Sequence, residues 1–171
     1  MSNEGHFFYF AYGSNLLKER LRLKNPSAQL HCTGRVQDYM LNFGTCGGNK
    51  NNHWHGGVAT IEESQGHEVW GVVWKMSHQN LHSLDEQEGI SLGIYKPIYV
   101  RVETEDEELL CRSYQMNNFL ASLTSPQYKE VVCSGARQNN LPLEYIKKLE
   151  AIETNNYSGP TILDEIKGFP S

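Results

Sequence analysis

Glu88 is the residue whose position points most directly to chemistry. Ser77 is a suitable N-cap and Gly89 a suitable residue after a helix C-terminus, so the segment between them predicts a helix. Counted from Leu81, Leu84 lies at i+3 and Glu88 at i+7, which places all three on one face. A carboxyl group on an apolar face has a raised pKa, which suits a general acid or base. The alternative is a last glutamate that is merely exposed at the helix end.

The other polar residues of this predicted helix lie elsewhere on its surface. The same periodicity places Glu86 and Gln87 away from the leucines and Asp85 at the edge of their face. Asp85 is therefore the second candidate for a catalytic carboxyl group.

A glycine turn, Gly13-Ser14-Asn15, follows the first apolar segment and precedes a predicted helix. Glycine can adopt φ > 0, and the unpaired N–H groups at a helix start bind carboxylates or phosphates. Ser14 or Asn15 could instead simply cap the helix, and the two interpretations are compatible. The turn matches neither the nucleotide-binding glycine motifs nor the G-x-S-x-G nucleophile motif.

Aromatic residues near strand ends are further candidates for a polar site. Tyr95, Tyr114 and Tyr128 could each offer a hydroxyl group to a ligand, although any one of them could be half-buried core. The three tryptophans are interpreted as core residues: Trp54, Trp70 and Trp74.

Metal, disulfide and cofactor chemistry find little support. His53 and His55 would share a face of a strand, but no further ligand completes a zinc pattern. The four cysteines are far apart in the sequence and are expected to be reduced thiols: Cys32, Cys46, Cys111 and Cys133. The sequence therefore predicts a cofactor-free, metal-free site for a small molecule.

Charge and hydropathy exclude two classes of partner. Fifteen basic and twenty acidic residues give the 171-residue chain a net charge of −5, whereas nucleic-acid binding favours the opposite sign. The densest basic group is predicted to be the solvated face of a helix: Lys18, Arg20, Arg22 and Lys24. No apolar run approaches the roughly 20 residues of a membrane span, and the polar N-terminus predicts no secretory signal. We expect neither nucleic acid nor membrane as a partner.

The elements that must position these residues predict an α+β fold. A short aromatic strand at residues 7–12 leads through the glycine turn into a helix that ends at Asn25-Pro26. The middle of the chain is rich in strands, predicted at 39–43, 57–61, 69–74, 98–102 and 109–116, with turns or a loop between Thr45 and Gly57 and at Gly66. Two helices follow, one opened by Ser125-Pro126 and ended before Gly135, the other opened by Leu141-Pro142. We expect a single domain over residues 1–171, with a core of about 7–153 and a polar tail.

These residues resemble the γ-glutamylcyclotransferase family. The likeness is carried by F-A-Y-G-S-N-L at 10–16, W-H-G-G-V-A-T at 54–60, E-V-W-G-V-V-W at 68–74, L-D-E-Q-E-G at 84–89, C-R-S-Y at 111–114 and S-P-Q-Y at 125–128. The blocks occur in family order, and the D-E-Q-E-G and S-P-Q-Y blocks together make the match specific.

The resemblance implies a fold, a reaction and a site. It implies a small, mostly antiparallel β-barrel with flanking helices in a cytoplasmic, homodimeric, cofactor-free enzyme of glutathione and γ-glutamyl peptide metabolism. The enzyme would cyclise γ-glutamyl-amino acids to 5-oxoproline and release the amino acid. Glu88 would be the catalytic acid and base, and the substrate-binding residues would be Tyr9, Phe10, Ala11, Tyr12, Gly13, Ser14, Asn15 and Tyr128.

Other functions remain open on the residues alone. A relative with the same fold could cyclise γ-glutamyl-amines or glutathione, and a non-catalytic binding module could keep the glycine turn without turnover. Glu88 on the inward face of its helix favours an enzyme over a binding module.

Overall fold

Five strands close into a mixed β-barrel in the computed structural model, which describes residues 5–48 and 54–159. The strands follow the order β3-β1-β5-β4-β2, and β2 pairs back onto β3 to close the barrel, while β6 adds to the outer edge of β2. The contact between β1 and β5 is parallel, with Tyr9 opposite Arg112, and the other pairings are antiparallel. The predicted mostly antiparallel barrel with flanking helices is confirmed.

The described residues form six strands, four helices and three short 3-10 turns. The strands are β1 (His6–Ala11), β2 (Gln29–Cys46), β3 (Val58–Ser77), β4 (Tyr95–Glu103), β5 (Glu108–Met116) and β6 (Phe119–Ala121). The helices are α1 (Lys18–Arg22), α2 (Leu81–Gln87), α3 (Pro126–Gln138) and α4 (Leu143–Glu150). The 3-10 turns are Ser14–Leu16, His78–Asn80 and Ile90–Leu92.

Strands β2 and β3 are longer than the sequence predicts. Two predicted strands, 57–61 and 69–74, belong to the single strand β3, which continues through an irregularity at Gly66. Gly66 has φ of +88° there, and its N–H donates to Asp38, so the chain bends without leaving the sheet. Strand β2 extends to Cys46, into the predicted loop, because its last residues pair with β6.

Cap residues set most helix boundaries as the sequence predicts. The Ser77 hydroxyl accepts from the N–H of Gln79, and a 3-10 turn then leads into α2. Gly89, with φ of +69°, ends that segment, and the Ser125 hydroxyl caps α3 by accepting from the N–H of Tyr128. The predicted end of α3 before Gly135 is wrong, because the helix runs on to Gln138.

Gly135 is required by packing rather than by a turn. A Cβ atom at this position would lie 2.5 Å from the backbone nitrogen of Leu17 and 2.6 Å from the Cβ of Leu16. The backbone of α3 can therefore approach the Ser14–Leu16 turn closely. This contact, together with fully buried Leu16 and Leu21, fixes the turn against the barrel.

The remaining features concern the surface and the thiols. Within the ranges that the structure describes, no helix is long and apolar enough to cross a membrane. The four cysteine thiols are free, and those of Cys111 and Cys133 are buried. The tail returns to the body where Thr154 bridges to Thr124 and the N–H of Asn155 donates to the Thr124 carbonyl.

Candidate active site

A cavity of about 300 Å³ lies where β1 ends and the glycine turn begins. Its wall is formed by that turn, the start of β3, the C-terminal end of α2 and the side chains of Tyr95, Tyr114 and Tyr128. This volume is within the range of small-molecule sites. Segments that are distant in the sequence meet here because β1 pairs with both β3 and β5 inside the barrel.

Glu88 lies at this cavity, on the side of α2 that the leucine periodicity predicts. It is the C-terminal cap residue of α2, its N–H donates to the carbonyl of fully buried Leu84, and the accessible part of its side chain faces the cavity. The pKa of Glu88 is raised to about 7, chiefly by burial; the charge of Arg20 opposes this increase, and the nearby charge of Asp85 adds to it. A carboxyl group that titrates near neutral pH can accept and return a proton.

Asn15 holds the Glu88 carboxylate in place. Its side-chain nitrogen donates to Glu88 Oε2 at 3.4 Å and to the Tyr9 hydroxyl at 3.0 Å. Its backbone carbonyl accepts from the indole N–H of Trp74 at 3.0 Å. The prediction that Ser14 or Asn15 caps the helix is wrong, because neither side chain makes a cap hydrogen bond. The buried Asn15 amide connects the turn to the carboxyl group instead.

Gln87 also points to the site, contrary to the prediction that it faces away. Its side-chain nitrogen donates to Asn15 Oδ1 at 2.9 Å, and its oxygen accepts from Asn25 at 2.8 Å. Gln87 is the last residue of α2 and lies at i+3 from buried Leu84, so the helical periodicity itself turns its side chain toward the face that carries Leu84. Glu86 is exposed and pairs with His82 at 3.2 Å, yet it too reaches the edge of the cavity.

Tyr128 supplies a hydroxyl group beside the glycine turn. Its oxygen accepts from the N–H of Ala59 at 3.0 Å and is also hydrogen-bonded to the backbone of Ser14. Burial raises the pKa of Tyr128 to about 12, so the hydroxyl stays protonated at neutral pH. With its oxygen accepting from backbone N–H groups, the hydroxyl can donate its own proton to a ligand.

Gly13 is required for space rather than for a positive φ. Its φ is −120°, so the expectation of a left-handed glycine is wrong. A Cβ atom at Gly13 would lie 2.8 Å from the Tyr128 hydroxyl oxygen and 3.0 Å from the Ala59 Cβ. The 3-10 turn has only three residues and α1 only five, so no long helix dipole stands behind the turn.

The Asp85 carboxylate accepts hydrogen bonds from an arginine and from a tyrosine. Arg112 Nη2 donates to both of its carboxylate oxygens at 3.0 Å, and the Tyr114 hydroxyl donates to Oδ1. Asp85 does not line the cavity, whereas Tyr114 does. The ion pair between Arg112 and Asp85 anchors α2 to β5 and holds the Asp85 carboxylate near Glu88, which makes Asp85 a supporting residue.

Further tyrosines form the buried floor of the cavity. Tyr9, Tyr12 and Tyr95 have pKa values raised well above the usual value, first by burial and also by the charge of Glu88. The Tyr12 hydroxyl donates to the Tyr114 carbonyl at 2.6 Å, and that of Tyr95 donates to the Ala59 carbonyl. They are therefore neutral hydroxyl groups at neutral pH.

The structure brings most of the sequence-predicted site together. Tyr9, Tyr12, Gly13, Ser14, Asn15, Tyr128 and Glu88 line one cavity. Phe10 and Ala11 do not line it, because both are fully buried in the core between neighbouring strands. They belong to the strand that leads into the site.

Arg20 lines the cavity, although the sequence interpretation placed it on a solvated face, and Trp54, which is buried in the core as predicted, lines the cavity beside it. The guanidinium carbon of Arg20 lies 5.7 Å from the centroid of the Trp54 ring. Its spacing from Leu16 and Leu17, at i+4 and i+3, was the signal that it shares their inward face. Arg20 is thus not part of a solvated face.

The described residues hold no cluster of three or more histidine, cysteine or acidic side chains able to bind a metal ion. His55 stacks on Tyr157 with ring centroids 4.3 Å apart. The other member of the predicted histidine pair, His53, lies outside the described residues.

The chain is similar to proteins of known family and known structure. The model of the AIG2-like family matches residues 68–149. The chain is 56% identical to the γ-glutamylcyclotransferase of Homo sapiens over 92% of this chain and 84% of that protein. It is 58% identical to the γ-glutamylcyclotransferase of Bos taurus over 90% and 82%, respectively. A solved structure of a γ-glutamyl cyclotransferase superimposes with a TM-score of 0.91 at 54% identity, covering 95% of this chain and 98% of that one.

Proposed function

Because the chain belongs to the γ-glutamylcyclotransferase family and so is an enzyme that cyclises γ-glutamyl-amino acids to 5-oxoproline, we propose that Glu88 is its catalytic acid and base. The observation that carries this proposal is a carboxyl group with a pKa of about 7 at the wall of a small cavity. Ordinary glutamates are fully ionised at neutral pH and exchange protons there with little driving force.

The reaction needs no nucleophile from the enzyme. The substrate α-amine attacks the γ-carbonyl carbon, a ring C–N bond forms, and the bond to the leaving amino acid breaks. The amine is mostly protonated at neutral pH, so a base must remove a proton before it attacks. Glu88 accepts that proton and returns it to the departing nitrogen. The ring nitrogen releases a second proton as the lactam forms, and this proton passes to the released amine. The cavity favours ring closure by holding a folded substrate.

Tyr128 is proposed to stabilise the charge that develops on the γ-carbonyl oxygen. Its hydroxyl is neutral, it is held by the backbone at Ala59 and Ser14, and its proton is available to a third group. Fixed donors of this kind stabilise an oxyanion without reorganising during the reaction. The amide groups of the turn thus act through the Tyr128 hydroxyl rather than as a bare anion site.

Chromatographic detection of 5-oxoproline from γ-glutamyl-alanine is the test of this function. The expected result is stoichiometric 5-oxoproline and alanine with the purified protein alone. Parallel assays with γ-glutamyl-lysine isopeptide and glutathione should give much lower rates. Exclusive turnover of either of these would contradict the proposed substrate class.

The cellular setting is also a proposal. We propose a cytoplasmic homodimer that acts in glutathione and γ-glutamyl peptide metabolism, as the family resemblance implies. The net charge of −5 supports an enzyme without nucleic-acid partners. Light scattering coupled to size-exclusion chromatography should give twice the chain mass, and a monomer at micromolar concentration would contradict the dimer.

A further inference from the structure

The residues around the cavity divide into a buried floor and a partly exposed rim. Tyr9, Tyr12 and Asn15 are buried on the floor, whereas Glu86 and Arg20 stand at the rim with accessible side chains. Glu88 is bonded to Asn15, and so the amine that it deprotonates must lie toward the floor. The γ-glutamyl part of the substrate therefore occupies the inner end, and the leaving amino acid lies toward the rim.

Arg20 is the one arginine or lysine among the described residues that line this cavity. It projects from the short helix α1, and its guanidinium group lies over the Trp54 ring. Its charge is close enough to lower the pKa values of both Glu88 and Tyr128. Arg20 thus holds a positive charge at the rim, within reach of the site where the bond is cleaved.

The substrate brings more negative charge than the neutral groups of the site can balance. A γ-glutamyl-amino acid carries two carboxylates against a single ammonium group, and the cavity wall already contains Glu86 and Glu88. One substrate carboxylate, that of the γ-glutamyl part, stays in the product and lies near the tyrosine hydroxyl groups of the floor. The other leaves with the amino acid and lies near the rim, where the guanidinium group is.

We propose that Arg20 binds the carboxylate of the leaving amino acid and thereby selects γ-glutamyl-amino acids over γ-glutamyl-amines. This inference rests on the proposed function, since it assigns a specificity residue to the same reaction. A guanidinium group can pair with a carboxylate through two parallel hydrogen bonds, and its five donors allow this alongside contacts within the protein. The Trp54 ring holds the cation before substrate arrives.

A matched pair of substrates isolates the interaction. γ-Glutamyl-alanine and γ-glutamyl-alaninamide have nearly the same size, and only the first has a carboxylate on its leaving group. The wild-type enzyme should prefer γ-glutamyl-alanine by about ten- to a hundredfold in kcat/KM, as expected for a charged hydrogen-bonded pair. Equal kcat/KM values for the two substrates in the wild type would overturn the inference without any variant.

The Arg20→Gln variant should remove this preference. The comparison is made at about pH 9, where Glu88 is ionised with or without the Arg20 charge. There, kcat/KM for γ-glutamyl-alanine should fall by about ten- to a hundredfold, with less than about a threefold change for γ-glutamyl-alaninamide. The Arg20→Lys variant keeps the charge but not the paired donors, and it should retain part of the preference. The matched control is Lys18→Gln, an exposed position on the same helix that does not line the cavity, which should leave both values unchanged.

The outcomes separate this inference from the proposed function. If the wild type forms no 5-oxoproline from either substrate, the proposed function itself fails. A second outcome is normal wild-type turnover, with Arg20→Gln lowering kcat/KM equally for both substrates and also weakening 5-oxoproline binding. Arg20 would then bind the carboxylate that stays in the product, and the inference would be overturned. An unchanged preference in both Arg20 variants overturns it as well.

Discussion

Replacement of Glu88 by glutamine is the perturbation that tests the proposed chemistry most directly. Glutamine keeps the shape of the side chain and can still accept the hydrogen bond from Asn15, but it cannot take up a proton. General acid–base catalysis contributes about 10²- to 10⁴-fold, so kcat should fall by at least about a hundredfold at pH 8. Binding of 5-oxoproline should persist, because the tyrosine hydroxyl groups of the cavity floor and Tyr128 remain.

The wild-type pH profile provides a second measure of the same group. With a pKa of about 7, Glu88 is the base form in roughly nine molecules of ten at pH 8 and in roughly one of ten at pH 6. The acidic limb of kcat/KM should therefore bend near pH 7, and activity should fall by about tenfold for each lower pH unit. The residual activity of Glu88→Gln should lack this bend.

The raised pKa also predicts how the variant changes folding stability. The unfolded chain ionises Glu88 near pH 4.5, whereas the folded protein retains the proton until about pH 7. The folded state therefore binds more protons between these values, and the wild type loses stability as pH rises through this window. The shift corresponds to at most about 3 kcal/mol above pH 7, since the side chain is half-buried and open to the cavity. Glu88→Gln should match the wild type at pH 4.5 and exceed it at pH 8.

The assay combines 5-oxoproline chromatography with urea unfolding at both pH values. Glu105→Gln is the control, because it makes the same substitution in an exposed turn between β4 and β5, away from the cavity. It should leave turnover and the pH profile intact. Glu86 is unsuitable as a control because it reaches the cavity edge. Retention of more than about a tenth of the wild-type kcat by Glu88→Gln would refute the role of Glu88 as the base.

Three further outcomes are expected. Gly13→Ala should weaken 5-oxoproline binding by about tenfold in calorimetry, because the added Cβ atom displaces the Tyr128 hydroxyl; unchanged affinity in a folded variant would separate the turn from the site. Tyr128→Phe should lower kcat by about 10²-fold and destabilise the fold by about 1–3 kcal/mol, since Ala59 loses its buried acceptor; a normal kcat would remove Tyr128 from oxyanion stabilisation. Dialysis against a strong chelator should leave activity unchanged, and a loss restored by zinc would contradict metal-free chemistry.

Local patterns predict the scaffold of this protein well. Ser77, Gly89 and Ser125 mark helix boundaries through their own side chains or backbone conformation, and a hydroxyl cap or a left-handed glycine requires no distant partner. Leu84 and Glu88 share a face because one turn of helix lies between them. The position of the catalytic candidate therefore follows from a short stretch of sequence together with the family resemblance.

Features that depend on distant contacts are the ones that local patterns miss. Gly135 resembles a helix end in the sequence, but it lies inside α3 because the backbone of Leu17 approaches it. Likewise, β2 extends beyond its predicted end because β6, more than seventy residues later, pairs with it. No property of these residues alone contains that information.

The position of Glu88 at the end of its helix connects the scaffold with the chemistry. The last turn of α2 keeps Leu84 in the core, and Gln87 and Glu88, at i+3 and i+4 from it, both meet the same amide, that of Asn15. A carboxyl group deeper in the helix would lose access to substrate, and one beyond Gly89 would lose the burial that raises its pKa. The raised pKa of Glu88 therefore depends on where α2 ends. Gly89, whose φ of +69° ends the segment, thus contributes to the site through the backbone.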